Sequence, residues 1–386
     1  MVRSLLSISL LVVVGPILFL TVEWNLLSTT SQCHFQETEA VSTARLGGIA
    51  SPEDATITSP LTSSMARAFP VWNRSSTPYN WCHTRDGNTS GILFVKVEKC
   101  ASTTGSGATL RIADKLGHRL MGKWCTSRYR HGIASDVNQN YISRDADRSM
   151  LWTIIRHPAK RVISDFFFRR VSRMRWNATQ GSILRYIGDP KYKTYIVDYL
   201  KLKEFDTREE EIEHAIQNYD FIAVSERMAE SLVVMSMILK VPLADLVVLA
   251  SKAEGYDDGQ TPQGCVKLTR SWTNPVIDEY LSHEFLQNNY DNILYQAVNA
   301  SLDLTIDALG RNQVMAGVAL FHELAVKNKR ECEEHAIFPC PVTLPNHKEE
   351  SNKNCYFFDA GCGHACTDTA LKTESEDEWN RLRITG

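Results

Sequence analysis

The stretch Gly91-Ile-Leu-Phe-Val-Lys-Val97, continuing as Glu98-Lys99-Cys100-Ala101-Ser102-Thr103-Thr104-Gly105-Ser106, decides the fold. Its first part is a short apolar run with β-branched and aromatic residues, the pattern of a buried strand. The small hydroxylated residues from Ser102 to Gly107 read as a turn. After them Ala108, Ile112, Leu116 and Leu120 recur at helical spacing. The unit is therefore strand, small-residue loop, helix.

The same order returns downstream. Leu151-Trp-Thr-Ile-Ile155 reads as a strand, His157-Pro158 as a turn, and Pro158 as the first turn of a helix running towards Val171. Phe221-Ile-Ala-Val224 is a third strand, the stretch from Glu226 to Leu239 an apolar-striped helix, and Val247-Val-Leu249 a candidate fourth strand. Residues 275–308 and 313–327 read as further helices. Strands alternating with helices predict an α/β protein built on a parallel sheet with helices on both faces.

Outside this core the composition changes. Leu5 to Val22 is an apolar run long enough to span a bilayer, with Arg3 before it and Glu23 after it. Residues 1–24 are thus expected to form a cytosolic stub and a transmembrane signal anchor, with a cleaved signal peptide as the alternative. Both deliver the chain to the secretory pathway, and the anchor would make it a single-pass type II protein with a lumenal domain. Residues 25–80, rich in Ser, Thr, Ala and Pro, read as a flexible stem. Residues 81–328 are the expected catalytic domain and 329–386 a cysteine-rich extension. Ten cysteines and sequons at Asn73, Asn88, Asn177 and Asn299 fit an oxidising, glycosylating compartment. The late cluster Cys332, Cys340, Cys355, Cys362 and Cys366 reads as disulfides, with zinc on Cys362, His364 and Cys366 as the alternative. A formal net charge of −3 over 386 residues argues against a nucleic-acid partner, so any anion chemistry must come from a local basic patch.

Two such patches follow strands. From Lys99 to Ser106 small residues let backbone amides converge on an anion, with hydroxyls and a helix N-terminus adding to the attraction. The lysine comes first, unlike the G-x-x-x-x-G-K-[ST] order of nucleotide triphosphatases. In Arg156-His-Pro-Ala-Lys-Arg-Val-Ile-Ser164 the arginine ends a strand and offers a planar fork to an oxyanion, while Ser164 supplies a hydroxyl. Two anion sites at two strand ends imply a ligand with two phosphate-bearing ends. For each there is a plainer explanation: a capped helix start for the loop, a surface ion pair for Arg156, and an ordinary helix hydroxyl for Ser164.

The pair Lys99-x-Ala-Ser-Thr-Thr and Arg156-x-Pro-x-x-Arg-x-x-Ser164 resembles the two signatures by which Golgi carbohydrate sulfotransferases bind 3′-phosphoadenosine-5′-phosphosulfate (PAPS). The likeness is greatest to the uronosyl and heparan 2-O-sulfotransferases and the galactose 3-O-sulfotransferases, and it extends through Tyr219 to Leu232 and Asn292 to Asn299. It implies a P-loop-like sulfotransferase fold in the Golgi membrane, PAPS as donor, PAP as product, a glycan as acceptor, and no metal. By that resemblance Lys99, Cys100, Ala101, Ser102, Thr103 and Thr104 cradle the 5′-phosphosulfate, and Arg156 with Ser164 holds the 3′-phosphate.

Sulfuryl transfer to an alcohol needs a base for the hydroxyl proton and a cation for the leaving oxygen. Lys99 suits the second role. For the first, the 2-O-sulfotransferases carry a His-Gly segment about two dozen residues before the Arg-x-Pro motif. Tyr129-Arg-His131-Gly stands there in this chain and makes His131 the expected base. Glu98, where many galactose 3-O-sulfotransferases have histidine, is its rival. The basic run Lys160, Arg161, Arg169, Arg170, Arg173 and Arg175 is either a solvated face or an attractant for an anionic glycan. A P-loop-type kinase and a noncatalytic glycan-binding ectodomain are the competing classes.

Overall fold

The computed structural model describes residues 70–72, 80–82, 90–135, 141–249, 257–261, 264–333 and 364–385. The expected anchor at 1–24 lies outside them, as does most of the expected stem. No helix among the described residues is long and apolar enough to cross a membrane.

The centre is a four-stranded sheet of β1 (Gly91–Val95), β2 (Ser127–Arg130), β3 (Ser149–Ile155) and β4 (Phe221–Val224), ordered β2-β1-β3-β4 with every pair parallel. Each residue of β1, β3 and β4 is buried. Side chains alternate between faces along a strand, so uninterrupted burial means that both faces are covered, as expected for a parallel sheet. The strand β2, Ser-Arg-Tyr-Arg, has no apolar run; it is an edge strand that pairs with β1 alone. A separate antiparallel pair joins β5 (Asp257–Thr261) to β6 (Gly264–Lys267).

Three sequence expectations change. The predicted turn at Ser102–Gly107 is instead the start of helix α1 (Ser102–Met121). Within it the Ser106 and Thr109 hydroxyls donate to the carbonyls of Ser102 and Gly105, which satisfies them without breaking the helix. Gly105 is needed there: a Cβ would lie 2.8 Å from Phe94 Cε2 and 2.9 Å from Ile154 Cδ1, so α1 rests directly on β1 and β3. The helix expected to reach Val171 keeps α geometry only in α2 (Pro158–Phe166) and continues as a π-helical segment, Phe167–Arg173. The candidate strand at Val247 is not one, because Val247 is buried without a strand partner just after the 3-10 turn Leu243–Leu246.

Between the strands run α3 (Gln180–Ile187), α4 (Tyr195–Leu200), α5 (Arg208–Asn218) and, after β4, α6 (Met228–Leu239). The expected helical stretch 275–308 is two helices, α7 (Pro275–Ser282) and α8 (Tyr290–Leu309). Asn274 and Asn289 start them, each side chain accepting the amide three residues on. Helix α9 (Arg311–Cys332) is followed by α10 (His364–Ala370) and α11 (Lys372–Thr385), which bring Leu371 and Trp379 into the main core. Trp72 also belongs to that core, with its ring 5.3 Å from Phe221. Disulfides join Cys82 to Cys125 and Cys332 to Cys366; the latter removes Cys366 from any zinc site. A second, smaller core of Val162, Phe166, Phe167, Ile183, Ile187, Ile277 and Phe285 anchors α2 and the π-helical segment.

Candidate active site

All four parallel strands end at one edge. Register pairs Val95 with Arg130 and Thr153, and Ile155 with Val224. The residues that follow, Lys99, His131, Arg156 and Glu226, therefore leave the sheet along a common rim. From β1 the chain moves to β2 on one side; from β3 it moves to β4 on the other. The crevice between β1 and β3 is thus the topological switch point, where open α/β sheets bind ligands.

The loop after β1 is backbone-strained. Lys99 and Ala101 take left-handed φ values of 62° and 55°, with Cys100 between them. Such conformations are unfavourable for residues bearing a Cβ and cluster at functional sites. Alternation of this kind turns successive amides towards one point and forms an anion-binding nest. Ala101 is the N-cap of α1 and has no side chain to bond the first-turn amides, and that turn holds no acidic residue. The helix start thus offers donors and positive potential with no acidic residue in its first turn. Cys100 is buried, and burial pushes its thiol up to about 12, so it contributes backbone and bulk but no thiolate.

Arg156 crosses the crevice, and its Nη1 donates to the Lys99 carbonyl at 3.3 Å. Behind it, Glu226 lies 3.9 Å from Arg156 Nε and 4.0 Å from Lys160 Nζ. Glu226 also accepts the His157 amide and, at 3.4 Å, the Tyr295 hydroxyl. His157 packs edge-on to Tyr295, and its burial lowers its pKa. Ser164 is half-buried on α2, one turn beyond Lys160 on the same helix face.

His131 directly follows β2 and is exposed. Its Nδ1 lies 2.9 Å from the Lys96 carbonyl, which can only accept, so Nδ1 carries the proton. The neutral ring then presents an unprotonated Nε2, the tautomer a general base requires. Gly132, at φ 144°, makes the turn that follows, and the Ala134 amide bonds the Tyr199 carbonyl to fasten this segment to α4.

Glu98 is differently placed. It pairs with Arg169 and accepts the Tyr195 hydroxyl at 2.8 Å. Arg169 also bonds Asp165 at 2.9 Å, which in turn accepts Tyr186 at 2.8 Å. Burial raises the Asp165 pKa, and Arg161 opposes that shift. The network ties Glu98 to Arg169 and Tyr195. Beneath it the fully buried Arg161 guanidinium lies 4.0 Å over the Tyr195 ring and 3.9 Å from Asp165.

The structure brings Lys99, Cys100, Ala101, the first turn of α1 from Ser102 to Thr104, Arg156 and Glu98 together at the crevice, with His131 on the neighbouring loop. Sequence reasoning assigned no role to Phe168, whose ring lies 3.8 Å beneath Lys99 Nζ, nor to Glu226 and Tyr195. Phe168 reaches Lys99 from the π-helical segment, a geometry without a sequence signature; the run Phe166-Phe167-Phe168 is its visible trace. No group of side chains able to hold a metal occurs among the described residues. No family model, curated protein or solved structure matches this chain.

Proposed function

We propose that this chain is a PAPS-dependent carbohydrate O-sulfotransferase of P-loop-like fold, membrane-anchored in the Golgi and acting on a glycan in the lumen. The observation that carries the proposal is the pairing of two anion-binding groups across one switch-point crevice. These are the left-handed nest at Lys99–Ala101 opening onto α1, and Arg156, whose guanidinium bonds the Lys99 carbonyl. A donor with phosphate groups at both ends fits that pairing. The Cys82–Cys125 and Cys332–Cys366 disulfides support an oxidising compartment.

In this scheme amides and hydroxyls of Lys99 to Thr104 hold the 5′-phosphosulfate, and Arg156 with Ser164 holds the 3′-phosphate. The acceptor hydroxyl oxygen attacks sulfur in line as the bond from sulfur to the bridging phosphate oxygen breaks. His131 Nε2 takes the hydroxyl proton, and Lys99 stabilises the negative charge that passes to PAP. The Glu98 ion pair with Arg169 favours His131 over Glu98 as base.

The test is transfer of labelled sulfate from PAPS to a panel of desulfated heparan, chondroitin, dermatan and galactose-terminated oligosaccharides, with Lys99→Ala as control. PAP and ATP are compared as thermal stabilisers of the same protein. Transfer lost in the control and preferential stabilisation by PAP are expected. A folded protein that PAP does not stabilise refutes the proposal.

A further inference from the structure

Two of the sequons fall on described residues, Asn177-Ala178-Thr179 and Asn299-Ala300-Ser301, whereas Asn73 and Asn88 lie outside them. By sequence the two are near-equivalent, with alanine between asparagine and hydroxyl in each. The fold separates them. Residues 175–179 join the π-helical segment to α3 without regular structure, and Asn177 and Thr179 are both exposed. Asn177 is held through its backbone: its carbonyl accepts the Thr179 amide and the Ser182 hydroxyl, each at 3.0 Å. Thr179 is extended, at φ −98° and ψ 155°, and its Oγ1 caps α3 by accepting the Ser182 amide at 3.2 Å. Asn299 instead lies in the middle of α8, half-buried, with its Nδ2 donating to the Tyr295 carbonyl at 2.9 Å. Ser301 is fully buried. Residues two apart on a helix do not face each other, so α8 never presents the Asn299 amide and the Ser301 hydroxyl together.

We propose that Asn177 carries an N-linked glycan and that Asn299 carries none in the folded protein. The proposal rests on the lumenal placement of the domain and is independent of sulfuryl transfer. The donor class is an oligosaccharide held on a polyprenyl pyrophosphate. Asn177 Nδ2 bonds the anomeric carbon as the bond from that carbon to the pyrophosphate oxygen breaks; the amide gives up one proton and the polyprenyl pyrophosphate leaves. A glycan is bulky and hydrophilic, so it is accommodated where the side chain already meets solvent, as at Asn177. At Asn299 the same bulk would enter half-buried helix surface beside Tyr295, whose hydroxyl bonds Glu226 at the crevice.

The test expresses the full chain in cultured animal cells and follows each site by mass spectrometry of its peptides before and after enzymatic release of N-glycans. Asn177→Gln and Asn299→Gln are compared with wild type on gels; Thr179 is not removed, because it caps α3. Asn177→Gln is expected to lose the mobility step of one glycan, and Asn299→Gln to migrate as wild type. Thr179→Ser keeps the capping oxygen and gives the two sequons the same three residues, and it is expected to retain the glycan on Asn177. A bare Asn177, a glycan on Asn299 in monodisperse protein, or loss of the Asn177 glycan in Thr179→Ser overturns the proposal. Where Asn177 is bare, protease digestion of sealed microsomes separates the two failures. A protected domain leaves the lumenal placement standing and sinks this proposal alone, whereas a digested domain sinks both.

Discussion

Asp291, at the start of α8, is fully buried, and its Oδ1 accepts the amides of Ile196 and Val197 at 2.8 and 3.0 Å. It thereby caps α4, the helix whose Tyr195 holds Glu98. Its Oδ2 has no hydrogen-bond partner. Burial pushes the carboxyl from its ordinary 3.8 up to about 6, against the pull of those two amides and of Arg161. A folded-state pKa above the unfolded one means that the folded protein binds the proton more tightly. The associated stability is present in full below the unfolded value near 4 and is lost as pH rises through about 6. The interval corresponds to about 3 kcal/mol, borne by the charged form at neutral pH.

Asp291→Asn keeps an acceptor oxygen for the amides and removes the buried charge. It is expected to be more stable than wild type by up to about 3 kcal/mol near pH 7.5, with the advantage vanishing towards pH ~4. Asp291→Ala strands both amides and is expected to destabilise at either pH by about 1–3 kcal/mol for each amide. Urea unfolding followed by tryptophan fluorescence at the two pH values measures all three proteins. An Asn variant less stable than wild type near neutrality, by a margin that does not change with pH, refutes the reasoning. It would mean that Arg161 stabilises the carboxylate more than burial penalises it.

His131→Ala is expected to lower sulfate transfer by about 10²–10⁴-fold while leaving thermal stabilisation by PAP intact, whereas Glu98→Gln leaves His131 to take the proton and lowers turnover far less. A steady-state assay of the two variants decides between them: the reverse order makes Glu98 the base. Gly105→Ala forces a methyl against Phe94 and Ile154 and is expected to cost about 1–3 kcal/mol. An unchanged urea midpoint would show that α1 does not rest on the sheet at that point.

Much of the frame was legible because it is local. Three of the four sheet strands are runs of buried apolar residues, and the loop after β1 and the Arg156 motif follow them directly. Strand β2 was not legible, since Ser-Arg-Tyr-Arg at the edge of the sheet needs no apolar pattern and is defined only by pairing with β1. The start of α1 was misread for a related reason. Ser, Thr and Gly disfavour helix by intrinsic propensity, yet packing against β1 requires small residues at that turn, and contact with the sheet overrides propensity.

The sequence by itself determined the alternation of strand and helix, the order of the loop after β1 and the Arg156 motif, and the cysteine-rich composition, because these depend on residue type and short spacing. Tertiary structure alone decided which side chains meet. Glu98 and Arg169 are 71 positions apart, and only the fold pairs them. Lys99 rests on Phe168 only because the helix after α2 widens into a π-helical segment over a second core. The bond from His131 to the Lys96 carbonyl exists only because β2 and β1 end side by side. Such contacts depend on how sheet order and helix register fold distant residues together, and no window of sequence contains that information.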